Sequence, residues 1–163
     1  MDYFQGVVTE YLRAKRSVFV NTECLLQLDN GKTLKDRHWY CDIVAANFSE
    51  KTVYLCEVTY SATMQTLIGR LAAWQQHWPL LVAAIHRDCG IPADWTVSPW
   101  VFIPEKYKGR FLERFQLMSQ SGDVNKAMPT PRITHLESTL PWAYLVTWDR
   151  KVDAIDGDAQ FKR

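Results

Sequence analysis

Residues 38–47 and 52–60 are two apolar runs joined only by Phe48-Ser49-Glu50-Lys51, and this pairing limits the fold more than anything else in the chain. Runs of this length, so closely connected, form adjacent antiparallel strands. Each carries one acid inside a core-like pattern: Asp42 in Cys41-Asp42-Ile43-Val44, and Glu57 in Leu55-Cys56-Glu57-Val58. Side chains alternate faces along a strand. Asp42 is therefore expected to oppose Cys41 and Ile43, while Glu57 and Thr59 point the same way. A connection over residues 48–51 pairs positions whose numbers sum to about 99, and 42 and 57 satisfy that sum. The two acids are thus expected side by side on one face.

The rest of the chain supplies a sheet around this pair. Residues 18–28 read as a further strand, followed by the turn signal Asp29-Asn30-Gly31-Lys32, which makes a three-stranded meander. Before it, Phe4, Val7, Val8, Tyr11 and Leu12 recur at helical spacing over residues 2–16. After it, Leu67, Ile68, Leu71, Trp74 and Trp78 mark a helix over residues 64–87, which Pro79 should kink or split. A strand over 94–103 follows, with Pro99 suggesting an edge or a bulge. A basic amphipathic helix over 105–118, a loop over 119–131, and strands at 132–136 and 143–148 complete the pattern. The order is α-β-β-β-α-β followed by α-β. It predicts an α/β fold with a mixed sheet flanked by helices. Residues 1–150 are expected to form one domain, and 151–163 a polar tail.

Composition narrows the class. Of the 163 residues, 47% are hydrophobic and 23% charged, which fits a packed core and excludes a disordered chain. The longest apolar run, Leu80–Ile85, falls far short of the roughly 20 residues that span a bilayer. The N-terminus lacks a basic region before an apolar core, so no signal peptide is expected. Cys24, Cys41, Cys56 and Cys89 contain no CxxC pair, which argues against structural zinc and suits a reducing, cytoplasmic setting. His86 and Cys89 are two possible ligands with no matching second pair. Net charge is +1, so no global field favours nucleic acid, though a local patch can suffice. No phosphate-binding glycine loop, dinucleotide fingerprint or nucleophile elbow occurs.

Two carboxylates held together in a half-buried sheet repel each other and lose hydration. A hard divalent cation would offset both terms, since Mg²⁺ binds through one or two carboxylates and can activate water at a phosphodiester. A neighbouring Arg or Lys, or exposure to water, would offset them equally.

These residues resemble the PD-(D/E)XK, or restriction-endonuclease-like, nuclease superfamily. Its core order α-β-β-β-α-β matches residues 2–104. Asp42 in WYCDIVAAN matches the first motif acid, Glu57 in LCEVTYS the second, and Glu10 in VVTEYLRAK the acid of the first helix. The resemblance implies a divalent-metal-dependent nuclease acting on DNA, with Mg²⁺ or Mn²⁺ held by Asp42, Glu57 and Glu10. Cys41 replaces the motif Pro. Thr59 stands where the motif Lys belongs; its hydroxyl is a candidate to hold the attacking water, but it brings no positive charge to stabilise the transition state. Arg70 on the following helix is the candidate replacement, with Lys51 a more distant one, and Gln65 and Gln75 share that helix.

The same departures support another expectation: a catalytically degenerate module of this fold that binds nucleic acid or a protein partner. Arg70 fits both readings, as a displaced catalytic or phosphate-binding group or as a salt-bridge partner of Glu57. Glu10 can join a metal cluster or pair with Arg13 along its helix. Lys106, Lys108 and Arg110, interleaved with Tyr107 and Phe111, and Lys32, Lys35 and Arg37 near the first turn, are candidate contacts to nucleic acid. Both groups also fit ordinary charged surfaces. The seven Trp also fit a protein interface, and the resemblance implies a homodimer as a further option, since many members of that superfamily act as dimers.

Overall fold

The computed structural model describes residues 2–28, 40–120 and 128–144. The chain opens with α1 (Tyr3–Arg13). Asp2 caps it, accepting the Gln5 backbone N–H at 2.8 Å while the Gln5 side chain accepts the Asp2 N–H at 3.0 Å. Strands β1 (Val18–Leu25), β2 (Tyr40–Asn47) and β3 (Thr52–Val58) follow, then α2 (Gln65–Gln76), α3 (Trp78–Cys89) and β4 (Thr96–Ile103). A short 3₁₀ turn, Glu105–Tyr107, leads into α4 (Lys108–Gln120), and β5 (Arg132–His135) runs into a second 3₁₀ turn, Leu136–Thr139.

The five strands form one mixed sheet in the order β1-β2-β3-β4-β5. The first three are the antiparallel meander, and β3, β4 and β5 run parallel. Parallel neighbours need crossover connections. The α2–α3 pair spans β3 to β4, and α4 lies between β4 and β5 in the chain. The long helical pattern is split as the proline predicts: α2 ends at Gln76, His77 leaves helical geometry, and Pro79 sits in the first turn of α3, where its missing N–H has no helical partner to lose.

Helices cover both faces. On one, Leu67, Leu71, Trp74, Trp78, Leu81, Ile85 and Phe111 pack on Val44, Val53, Leu55, Val101 and Ile103. On the other, Val8 and Leu12 of α1 pack on Ile43, Ala45, Tyr54, Cys56, Trp100 and Phe102. All seven residues of β3 are buried, as expected of a central strand covered on both sides. Each large apolar side chain so placed contributes about 1.5–3 kcal/mol.

Several expectations change. Pro99 lies on an interior strand, paired with Leu55 of β3; the ladder to β5 begins one residue later, at Trp100, so β4 is an edge locally where the proline sits. Residues 141–144 form a turn closed by the Ala143 N–H on the Leu140 carbonyl at 2.8 Å, and so do not begin a strand. The rest of the expected 143–148 strand, the turn at 29–32 and the 151–163 tail lie outside the described residues. Among the described residues, no helix is long and apolar enough to cross a membrane.

Candidate functional site

The β2–β3 ladder pairs Ile43 with Cys56, Val44 with Leu55 and Asn47 with Thr52, the register that the connection length predicts. Asp42 and Glu57 occupy the next step, where regular pairing ends. Their side chains take over from the ladder. The Asp42 N–H donates to Glu57 Oε1 at 3.3 Å, and the Val58 N–H donates to Asp42 Oδ2 at 2.9 Å. Each carboxylate thus satisfies a backbone donor on the opposite strand.

Arg70, one turn into α2, closes the cluster. Its Nη1 donates to Asp42 Oδ1 at 3.1 Å and also to Glu57 Oε2. The guanidinium does not present its two-pronged edge to a carboxylate; one nitrogen serves both acids, and the buried Nε–H has no hydrogen-bond partner among the described residues. The side chains of Arg70, Asp42 and Glu57 are 15%, 13% and 4% exposed, so the ion cluster is largely dry.

Burial, and then the neighbouring Asp42 charge, push the Glu57 carboxyl well above the usual carboxylate range, with Arg70 pulling the other way. The direction follows from charge balance. Two ionised acids and one guanidinium carry net −1, and a proton on Glu57 makes the buried group neutral. Burial draws the Arg70 guanidinium down, but Glu57 and Asp42 more than offset this and leave it raised. The flanking Cys41 and Cys56 thiols are pushed well up, first by burial and then by Glu57, so both stay neutral.

The surroundings differ from simple alternation. Cys41 packs with Val44 and Leu55 on the α2 side, although its parity with Ile43 places it on the α1 side. The neighbouring strand β1 is irregular at the same step. Thr22 pairs with Ile43 and Cys24 with Cys41, but the intervening step, Glu23 opposite Asp42, is missing from the ladder. Glu23 has φ +54°, a left-handed conformation in which few residues other than glycine settle. Nothing local in the sequence announces it.

The remaining candidates are dispersed. Glu10 is exposed on α1, across the sheet from Arg70, and pairs with Arg13 at 3.3 Å. The Thr59 hydroxyl accepts the Ser61 N–H at 3.2 Å and so closes a turn in the loop after β3. Lys51 pairs with Asp94 at 3.6 Å in an exposed bridge. Gln65 is exposed at the start of α2, and Gln75 lies near its end. Lys106, in the 3₁₀ turn, and Lys108 and Arg110, at the start of α4, are exposed. Lys32, Lys35 and Arg37 lie outside the described residues. Among the described residues, no group of three or more His, Cys, Asp or Glu is arranged to hold a metal.

Three arrangements escaped the sequence reading. Arg110 Nη1 donates to the Ala62 carbonyl at 2.8 Å and Arg114 Nη1 to that of Thr63, so α4 clamps the loop between Glu57 and Arg70. Tyr60 of that loop stacks on Phe4. Arg132 lies over the Trp100 ring at 4.0 Å and beside Glu50 and Tyr54. Each joins residues distant in the chain, so periodicity and spacing cannot reveal it.

No protein-family profile, curated protein or solved structure matches the chain.

Proposed function

We propose that this chain is a restriction-endonuclease-like module that works by binding, with its acid pair used as an internal ion cluster. One observation carries the reading: all four oxygens of Asp42 and Glu57 already accept N–H donors, two from Arg70 and one each from the Asp42 and Val58 backbones. As arranged, these donors do not fit a Mg²⁺ or Mn²⁺ seat. Freeing the oxygens means stripping Arg70 from a buried pair, which costs about 3–5 kcal/mol, roughly a 10²–10⁴-fold penalty on metal affinity. Thr59 adds no charge and is engaged in its own turn.

A second reading keeps the metal-dependent DNA nuclease, and the same contacts support it from another side. Arg70 places a cation against both acids, which is where the missing Lys charge would be needed. Calorimetric titration with Mn²⁺, run beside nicking of supercoiled plasmid, separates the two. The binding-module reading expects neither Mn²⁺ uptake at the acid pair nor nicking. Mn²⁺-dependent nicking by the wild type, lost in both Asp42→Ala and Glu57→Ala, would overturn it in favour of the nuclease.

A further inference from the structure

The ends of β3 and β4 carry a second cluster, beside the acid pair but using none of its residues. Tyr60, just past β3, stacks on Phe4 of α1 with ring centres 4.8 Å apart and planes 5° apart. Lys106 Nζ lies 5.6 Å from the Tyr60 ring centre and 4.8 Å from that of Tyr107. The Arg110 guanidinium lies 5.7 Å from the Tyr107 ring. Lys108 is exposed on the next turn, and about half of Tyr60 faces solvent. The nearby acids Glu105 and Glu137 are exposed, with the Glu105 N–H bonded to the Glu137 carboxylate at 3.1 Å. The clamp of Arg110 and Arg114 on the 62–63 carbonyls fixes the loop that carries Tyr60.

Partly exposed aromatic rings with cations lying over them ask for a ligand with flat π surfaces and an anionic backbone. An acidic peptide satisfies the cations and leaves the rings unused. A duplex offers phosphates but keeps its base faces stacked on each other. Single-stranded nucleic acid supplies both. We infer that Phe4, Tyr60 and Tyr107, with Lys106, Lys108 and Arg110, form a platform for single-stranded nucleic acid. This rests on the binding-module reading and names its partner. A base takes the place of Lys106 over the Tyr60 ring and packs beside Tyr107, while Lys106, Lys108 and Arg110 turn to successive phosphates.

The test is fluorescence anisotropy of the full chain with a labelled oligothymidylate, a duplex of equal length and polyglutamate as competitor. The single strand should bind roughly tenfold tighter than the duplex, with a log–log salt slope of about −2 for three phosphates. Tyr60→Ala should weaken binding roughly tenfold and leave the slope unchanged. Lys108→Ala, at an exposed position with little structural demand, should reduce the slope to about −1.4. Thermal unfolding of both variants checks that they fold. Equal or tighter duplex binding, displacement by polyglutamate as effective as by unlabelled strand, no effect of Tyr60→Ala in a folded protein, or no binding at all would each overturn the platform. Mn²⁺-dependent cleavage of the bound strand would support the platform while overturning the non-catalytic reading. Failure to bind would leave the Mn²⁺ titration of the acid pair unaffected.

Discussion

Arg70 and Arg132 both bring a guanidinium to the same sheet, one on each side, the first to two acids and the second to one. Arg70 is 15% exposed and meets Asp42 and Glu57, at 13% and 4%. Arg132 is 42% exposed and lies 3.8 Å from Glu50, at 39%, with Tyr54 donating to the same carboxylate. Its guanidinium also covers the Trp100 ring at 4.0 Å. Water screens the second cluster and not the first. The same side-chain chemistry is therefore a structural commitment at one place and a minor surface contact at the other. Burial decides which, more than distance does.

Removing each arginine should expose the difference. Arg70→Ala leaves two carboxylates buried without their cation, and it should lower unfolding free energy by about 3–5 kcal/mol in urea titrations. A loss under about 1 kcal/mol would mean that the cluster opens to water readily and that the contrast fails. Glu57→Gln sharpens it through pH. The folded-state pKa of Glu57 is raised above its ordinary value of 4.5, so the protonated carboxyl favours the fold. That contribution is complete below the ordinary carboxylate range and is lost as pH climbs through the raised value. Wild type should lose up to ~1.4 kcal/mol per pH unit across that window relative to Glu57→Gln, measured by thermal melts at stepped pH. A parallel pH profile for the two proteins would contradict the shift. The smallest effect belongs to Arg132→Ala: about 1 kcal/mol from an exposed ion pair and a cation–π contact, reduced in molar salt. A loss as large as that of Arg70→Ala would erase the distinction.

Much of the fold could be read in the chain because it depends on short-range rules. The Phe48–Lys51 connection fixes the register of β2 and β3, and hence the meeting of Asp42 and Glu57. Pro79 fixes the break between α2 and α3. The fate of the acids could not be read in the same way. Arg70 fits a catalytic or a structural role from sequence alone, and only the approach of α2 to the end of the ladder shows Nη1 touching both carboxylates. The break at Glu23 was equally hidden. A glutamate at positive φ has no local signal, yet it sits across from the acid that matters most, at the step where Cys41 departs from simple alternation. Phe4 and Tyr60 meet only because α1 and the loop after β3 reach the same end of the sheet.

The left-handed residue at position 23 has a further consequence. Among the described strands, β1 pairs on one side only, and its Val18-Phe19-Val20 stretch is the kind of extended apolar edge on which another molecule's strand can add. A chain docking there would meet a left-handed residue and a carboxylate after five regular residues, too short a run to template fibrous growth. At the opposite border, β5 is only four residues long. Among the described strands, both edges are thus poor seeds for aggregation, one through distortion and the other through brevity.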